Sequence, residues 1–67
     1  MCLSTLYIDS AGQRKEVMND VAFIEAENGG YVMVDLFGNQ KFVHGKIKSL
    51  DFAEEHTVVV EEIKATL

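Results

Sequence analysis

Turn signals recur at short intervals along this sequence, and β-branched residues fill the segments between them. The clearest turns are residues 10–13, 28–30 and 37–40, where glycine and asparagine suit the positive φ angles of tight turns. Proline is absent. Short segments bounded in this way are typical of strands. The sequence therefore predicts an all-β fold, a small SH3-like or OB-like β-barrel of five to six short antiparallel strands.

The predicted strands differ in how clearly they are marked. They comprise residues 3–9, 14–18, 21–27, 31–36, 41–52 and 57–63, of which residues 14–18 form a short strand or an irregular return. We expect Asn19 and Asp20 to separate the second strand from the third, and His44 and Gly45 to form a bulge or kink.

A helix is the alternative for residues 13–20 and 53–65. In the second segment, residues 57–60 are four β-branched residues in succession, which a helix disfavours. The strand reading also makes Val58, Val59 and Val60 apolar on both faces. This predicts the barrel interior on one side and a partner subunit on the other.

The length of 67 residues allows one domain, residues 1–67, close to the lower limit for independent folding. Ordering such a chain costs on the order of 100 kcal/mol, at about 1.5 kcal/mol per residue, and small chains offset this with disulfides, metals or oligomerisation. A single cysteine excludes an internal disulfide. Dimerisation and metal binding remain.

The charge balance argues against a nucleic-acid partner. The net charge is −5, whereas Lys and Arg supply most of the affinity for phosphate backbones. The one candidate basic patch is read as solvated strand and turn residues, namely Lys41, His44, Lys46 and Lys48. Neither a signal peptide nor an apolar run of membrane-spanning length is present, and a reduced thiol predicts the cytoplasm.

Cys2 is the strongest candidate metal ligand. If Met1 is removed, the new α-amine and the Cys2 thiolate form a five-membered chelate, and if Met1 stays, its amine adds a second fused ring. Such N/S donors suit square-planar Ni(II) or Cu(II). A two-fold dimer would bring together four or more donors, which would link metal binding to dimerisation. The alternative is a small buried hydrophobe at a strand start.

The remaining polar residues give no metal or catalytic pattern. His44 and His56 lack metal-ligand spacing and are interpreted as surface or turn histidines. The cluster of Glu54, Glu55 and His56, preceded by Asp51, is interpreted as a solvated acidic loop. No nucleophile with a base and an oxyanion hole is visible, so we predict that the protein is not an enzyme. The aromatic residues are expected in the core rather than on a base-stacking surface.

Three segments resemble the CooT family, small nickel-binding accessory proteins associated with carbon monoxide dehydrogenase maturation. They are the opening residues 1–7, the Asn28-Gly29-Gly30 hairpin with residues 31–38, and residues 58–62. The resemblance implies an SH3-like barrel, a homodimer, and one nickel at the dimer interface held by Cys2. HypC-type hydrogenase-maturation chaperones also open with Met-Cys, but they usually continue into a helical tail, so CooT fits better.

Two functional hypotheses follow. The first is a cytoplasmic, homodimeric Ni(II)-binding accessory protein, with the Cys2 thiolate and the Met1–Cys2 main-chain nitrogens as ligands. Its further partner would be a nickel enzyme or its maturation factors. The second is an SH3-like or Hfq-like binding module that recognises RNA or a protein through an exposed barrel face, in which the basic residues between 41 and 48 take part.

Overall fold

The computed structural model describes residues 3–63, and over these residues the fold is all-β, as predicted. It comprises five strands, a number within the predicted range: β1 (Ser4–Ser10), β2 (Gln13–Glu27), β3 (Gly30–Asp35), β4 (Gln40–Asp51) and β5 (Thr57–Glu62). Within residues 3–63, no helix has the length and apolar character required to cross a membrane.

Each strand pairs with the next along the chain, and β1 also pairs with β5, so the sheet closes into a barrel. Four pairs are antiparallel, but β1 and β5 are parallel, with Thr5 opposite Thr57 and Asp9 opposite Glu61. The prediction of antiparallel strands throughout is therefore wrong at the closing pair. The cause is parity: when direction alternates along five strands, the first and the last run the same way.

Strand β2 continues through the predicted break at Asn19 and Asp20. Its first part pairs with β1 and its second part with β3. The ladders are irregular on both sides of this point, and Asp20 has a positive φ of 55°. Asn and Asp tolerate this conformation better than other non-glycine residues. The pair thus bends the strand towards a new partner rather than ending it.

Strand β4 also changes partner along its length. His44 pairs with Gly30 of β3, and the next residue, Gly45, pairs with Glu62 of β5. A side chain at position 45 would overlap the Glu61 carbonyl oxygen. Glycine is therefore needed for close approach of the two backbones. The register shift of β4 lies further on, between Ile47 and Ser49, and not at the predicted position.

The barrel interior is filled by aliphatic side chains. Its buried cluster consists of Leu6, Val21, Met33, Val43, Val58 and Val60. Val59 points to the opposite face of β5, yet it is only 2% exposed in a single chain. A partner subunit is therefore not required to cover this face of β5, contrary to what its apolar sequence led us to expect.

Candidate functional site

The predicted ligands Met1 and Cys2 lie outside the residues that the structure describes. Their nearest described neighbours are at the start of β1, where Ser4 is a buried polar residue, 4% exposed. The Thr5 hydroxyl lies 3.4 Å from Asn19 Oδ1, near the bend of β2. The structure therefore describes the residues that follow Cys2 in the sequence and the segments packed against them.

His56 is the residue of the loop between β4 and β5 that lies against the start of β1. The main-chain N–H of Thr5 donates a hydrogen bond to the His56 carbonyl oxygen at 2.9 Å. Thr5 is opposite Thr57 in the parallel ladder, so Ser4 lies level with His56. Parallel pairing of the first and fifth strands thus places a histidine beside the residues that follow Cys2.

The imidazole of His56 has one buried atom without a partner. Its Nδ1 is shielded from solvent and has no hydrogen bond among the residues of the structure described above. A buried polar atom of this kind nearly always has a partner, because leaving it unpaired loses the hydrogen bond that water would make. His56 does lie in a turn between strands, as predicted. The sequence did not predict that one of its ring nitrogens is buried without a hydrogen bond.

The loop before His56 is ordered by Asp51. Asp51 Oδ1 accepts hydrogen bonds from the main-chain N–H groups of Glu54 at 3.0 Å and Ala53 at 3.1 Å. These bonds hold the pKa of the Asp51 carboxyl below its usual range. Glu54 and Glu55 are exposed, which fits a solvated acidic loop. Between residues 3 and 63, no three His, Cys, Asp or Glu side chains are grouped so that they could hold a metal ion.

Exposed aromatic side chains lie beside the start of β1. Phe23 is 52% exposed and Phe52 is 54% exposed, and together with Ser4, Ala22 and Val58 they line a shallow apolar depression. Phe37 and Phe42 are also exposed. The prediction that the aromatic residues form the core is therefore wrong for all four phenylalanines, because the small interior is already filled by Leu, Val and Met.

One lysine of the candidate basic patch is paired with a carboxylate, and another lies opposite a glutamate in the ladder. Lys48 Nζ donates to Asp9 Oδ2 at 3.0 Å, and Lys46 is opposite Glu61 in the β4–β5 ladder. His44 Nδ1 lies 3.1 Å from the Ile63 carbonyl oxygen, and its ring stacks on Phe42. His44 therefore belongs to a different part of the barrel from His56.

Comparison with known proteins gives a family and a fold. A family model described as CO dehydrogenase accessory protein CooT matches residues 1–61. A crystal structure from Carboxydothermus hydrogenoformans, assigned to CooT, superposes with a TM-score of 0.84 at 21% sequence identity and covers 94% of this chain and 100% of its own. At this identity the similarity shows the fold alone. No curated protein sequence matches the chain.

Proposed function

Because this chain belongs to the CooT family of CO dehydrogenase accessory proteins, we propose that it is a cytoplasmic Ni(II)-binding protein rather than an enzyme. It carries the ion for that enzyme or for its maturation factors. The observation that carries the proposal is the family match over residues 1–61, which includes Met1 and Cys2.

The proposed ligands are the Cys2 thiolate and the main-chain nitrogens of Met1 and Cys2. Thiolate and nitrogen donors suit Ni(II) and lie outside the preference of Mg²⁺ or Ca²⁺. One chain supplies only two or three such donors, so the proposal includes a homodimer in which two copies of Cys2 share one ion. The affinity should fall at low pH, because the thiol must lose its proton to bind.

The exposed aromatic side chains support a second copy at this position. Phe23 and Phe52 flank Ser4, which is two residues from Cys2 in the sequence. Large exposed apolar residues around a depression are typical of surfaces that bind another protein. A two-fold contact at this depression would bring the two N-terminal segments together. We also propose that the closed five-stranded barrel, with its bent β2 and β4, belongs to the SH3-like class.

The test is a titration of the reduced, tag-free protein with Ni(II). We expect thiolate-to-nickel charge-transfer absorption, and one nickel per two chains in native mass spectra. Both should be lost in Cys2→Ser. A matched control moves the thiol to the other end of β1 by combining Cys2→Ser with Ser10→Cys, and this variant should not regain the site. Unchanged nickel affinity in Cys2→Ser would refute the proposed site. The absence of any nickel binding by the unmodified protein would refute the proposed function and favour a binding module for RNA or protein.

A further inference from the structure

The turn between β3 and β4 presents two apolar side chains to solvent. Phe37 is 79% exposed, the highest value for a large hydrophobic side chain within residues 3–63, and Leu36 is 48% exposed. They occupy the central positions of a turn in which the Gly38 N–H donates to the Asp35 carbonyl oxygen at 3.1 Å. Such positions are usually taken by glycine, proline or small polar residues. Formation of the turn therefore does not explain why these two residues are apolar.

A network of hydrogen bonds fixes the shape of this turn. Asp35 Oδ1 accepts bonds from the main-chain N–H groups of Phe37 and Asn39, each at 2.9 Å. Asp35 Oδ2 accepts a further bond from Asn39 Nδ2 at 2.9 Å. The main-chain N–H of Leu36 donates to the Asp20 carbonyl oxygen, also at 2.9 Å. The turn is therefore ordered before any partner arrives, which lowers the entropy lost on binding.

An exposed aromatic side chain on a preordered turn is typical of a contact with another protein. Phenylalanine is enriched at the centres of protein interfaces, and sequences break local rules mainly at functional sites. We infer that Leu36 and Phe37 form a docking knob that inserts into an apolar pocket of CO dehydrogenase, the enzyme that this family serves. The inference rests on the proposed function and adds the contact through which the protein reaches that enzyme.

The size of the docking knob favours a transient partner over a second copy of this chain. Stable interfaces use about 20–30 residues from each side, whereas this turn comprises residues 35–39. A small contact with one or two anchoring side chains suits an accessory protein, which must leave its enzyme after each delivery. The proposed contact between two copies involves Phe23 and Phe52 instead, so the two contacts can be tested separately.

The docking knob is linked to the start of β1 by two contacts. Leu36 is hydrogen-bonded to Asp20, and the Oδ1 atom of the preceding residue, Asn19, lies 3.4 Å from the Thr5 hydroxyl. A partner held at the docking knob is therefore on the side of the barrel where β1 begins. This position suits ion delivery, because the proposed ligands precede β1 in the sequence and an accepting site must come close to the donor.

The test measures binding of the metal-free, full-length protein to purified, nickel-free CO dehydrogenase of the same organism. Affinity should fall at least about tenfold in Phe37→Ser, since residues that anchor an interface typically contribute this much or more. Phe42→Ser is the matched control, because Phe42 is 50% exposed and lies within β4 opposite Val32, and its affinity should be unchanged. Wild-type affinity in Phe37→Ser, or no binding of the unmodified protein to the enzyme, would overturn the inference.

A further variant tests the order of the turn. Asp35→Ala removes the three hydrogen bonds that its carboxylate accepts but keeps both apolar side chains. Affinity should fall by less than in Phe37→Ser, because only the entropy of ordering the turn is added to the cost of binding. Circular dichroism shows whether each variant is folded, and unchanged affinity in folded Asp35→Ala would contradict the role assigned to the turn.

A second measurement uses the unmodified protein, so it does not depend on the folding of any variant. When the protons of the enzyme are saturated in an NMR cross-saturation experiment, the amide signals of residues 36–38 should lose the most intensity. If the largest losses fall on another surface, such as the depression around Phe23 and Phe52, the enzyme docks there and the inference is wrong.

The outcomes separate this inference from the function on which it rests. Phe37→Ser should keep the nickel affinity of the unmodified protein, and Cys2→Ser should keep its affinity for the enzyme. Nickel binding together with wild-type docking in Phe37→Ser would refute the docking knob alone. Docking that is lost in Phe37→Ser, in a protein that binds no nickel, would refute the proposed function and retain the docking knob.

Discussion

The two ends of strand β1 are built in opposite ways. Near its last residues, Asp9 accepts hydrogen bonds from Arg14 at 2.7 and 3.0 Å and from Lys48 at 3.0 Å. At its start, the nearby His56 has a buried nitrogen without a described partner, and Phe23 is half exposed. The carboxylate at one end is hydrogen-bonded within the chain, whereas the imidazole nitrogen near the other end has no partner among the described residues.

This difference indicates how a small barrel can support both stability and binding. Asp9 joins three strands, because Arg14 belongs to β2 and Lys48 to β4. Natural proteins depart from the rules of polar satisfaction and apolar burial mainly at functional sites. The start of β1 departs from both rules, which is why we assign binding to that end and stabilising contacts between strands to the other.

The largest expected effect comes from a substitution between the two ends. Leu6 lies within β1 and is fully buried in the core cluster. Leu6→Ala should lower the free energy of unfolding by about 2–5 kcal/mol, the usual cost of truncating a buried leucine. Unfolding should disrupt the contacts at both ends of β1 together, so nickel binding should disappear with the fold. Chemical denaturation measures the change, and a loss below about 1 kcal/mol would show that the ends are not supported by a shared core.

The second-largest effect should be a loss of dimerisation, caused by substitutions beside the start of β1. Replacing both Phe23 and Phe52 by serine removes apolar surface around Ser4 but little from the interior, since both side chains are more than half exposed. We expect a folded monomer in sedimentation experiments and the loss of nickel sharing between chains. Phe37→Ser is the control, because Phe37 is 79% exposed and lies in the turn before β4. Dissociation by Phe37→Ser alone would place the interface elsewhere.

The smallest effect should come from Asp9. Hydrogen bonds from Arg14 and then Lys48 hold the pKa of the Asp9 carboxyl well below its usual range. A carboxyl whose pKa is lower in the folded state stabilises the fold above its unfolded pKa, about 3.9, and loses this contribution as the pH falls further. Asp9→Asn should therefore flatten the loss of stability below about pH 4.

A residual dependence on pH should remain in Asp9→Asn, because the pKa values of Asp35 and Asp51 are also lowered by hydrogen bonds. Lys48→Met, which removes one of the two cations, should have a smaller effect than Asp9→Asn. Nickel affinity at neutral pH should be unchanged in both variants, since they alter the far end of β1. Weaker nickel binding in Asp9→Asn would contradict the separation of the two ends.

The sequence predicted the strands better than their arrangement. The predicted bounds of β1, β3, β4 and β5 agree with the structure to within about one residue. Gly29 and Gly38 have the positive φ angles that the turns on either side of β3 require. Turn chemistry did not predict that β2 continues through Asp20. Asn and Asp are equally suited to a bend within a strand and to a turn that ends one, so residue type alone does not distinguish the two. Apolar character alone could not distinguish the exposed Phe23 from the buried Leu6. The interior of this small barrel is filled by Leu, Val and Met side chains, which are smaller than Phe.

The candidate site was predictable only where residue type was sufficient. Cys2 stands out as the one thiol of the chain, and the prediction of its role remains to be tested. His56 could not be found in the same way, because the residues that it approaches are about fifty positions away along the chain. No local spacing pattern encodes a neighbour that arises from parallel pairing of the first and last strands.

The parallel closure of β1 onto β5 also has a consequence for folding kinetics. Hairpins between successive strands can form early, but Thr5 meets Thr57 only after all the intervening strands have been synthesised. Contacts between residues so distant in sequence form slowly, because the chain loses much entropy before they stabilise it. Of the five strands described, β1 is synthesised before the others and waits longest for its second neighbour. The start of β1 is therefore completed late, so an ion bound there would report that the barrel has closed.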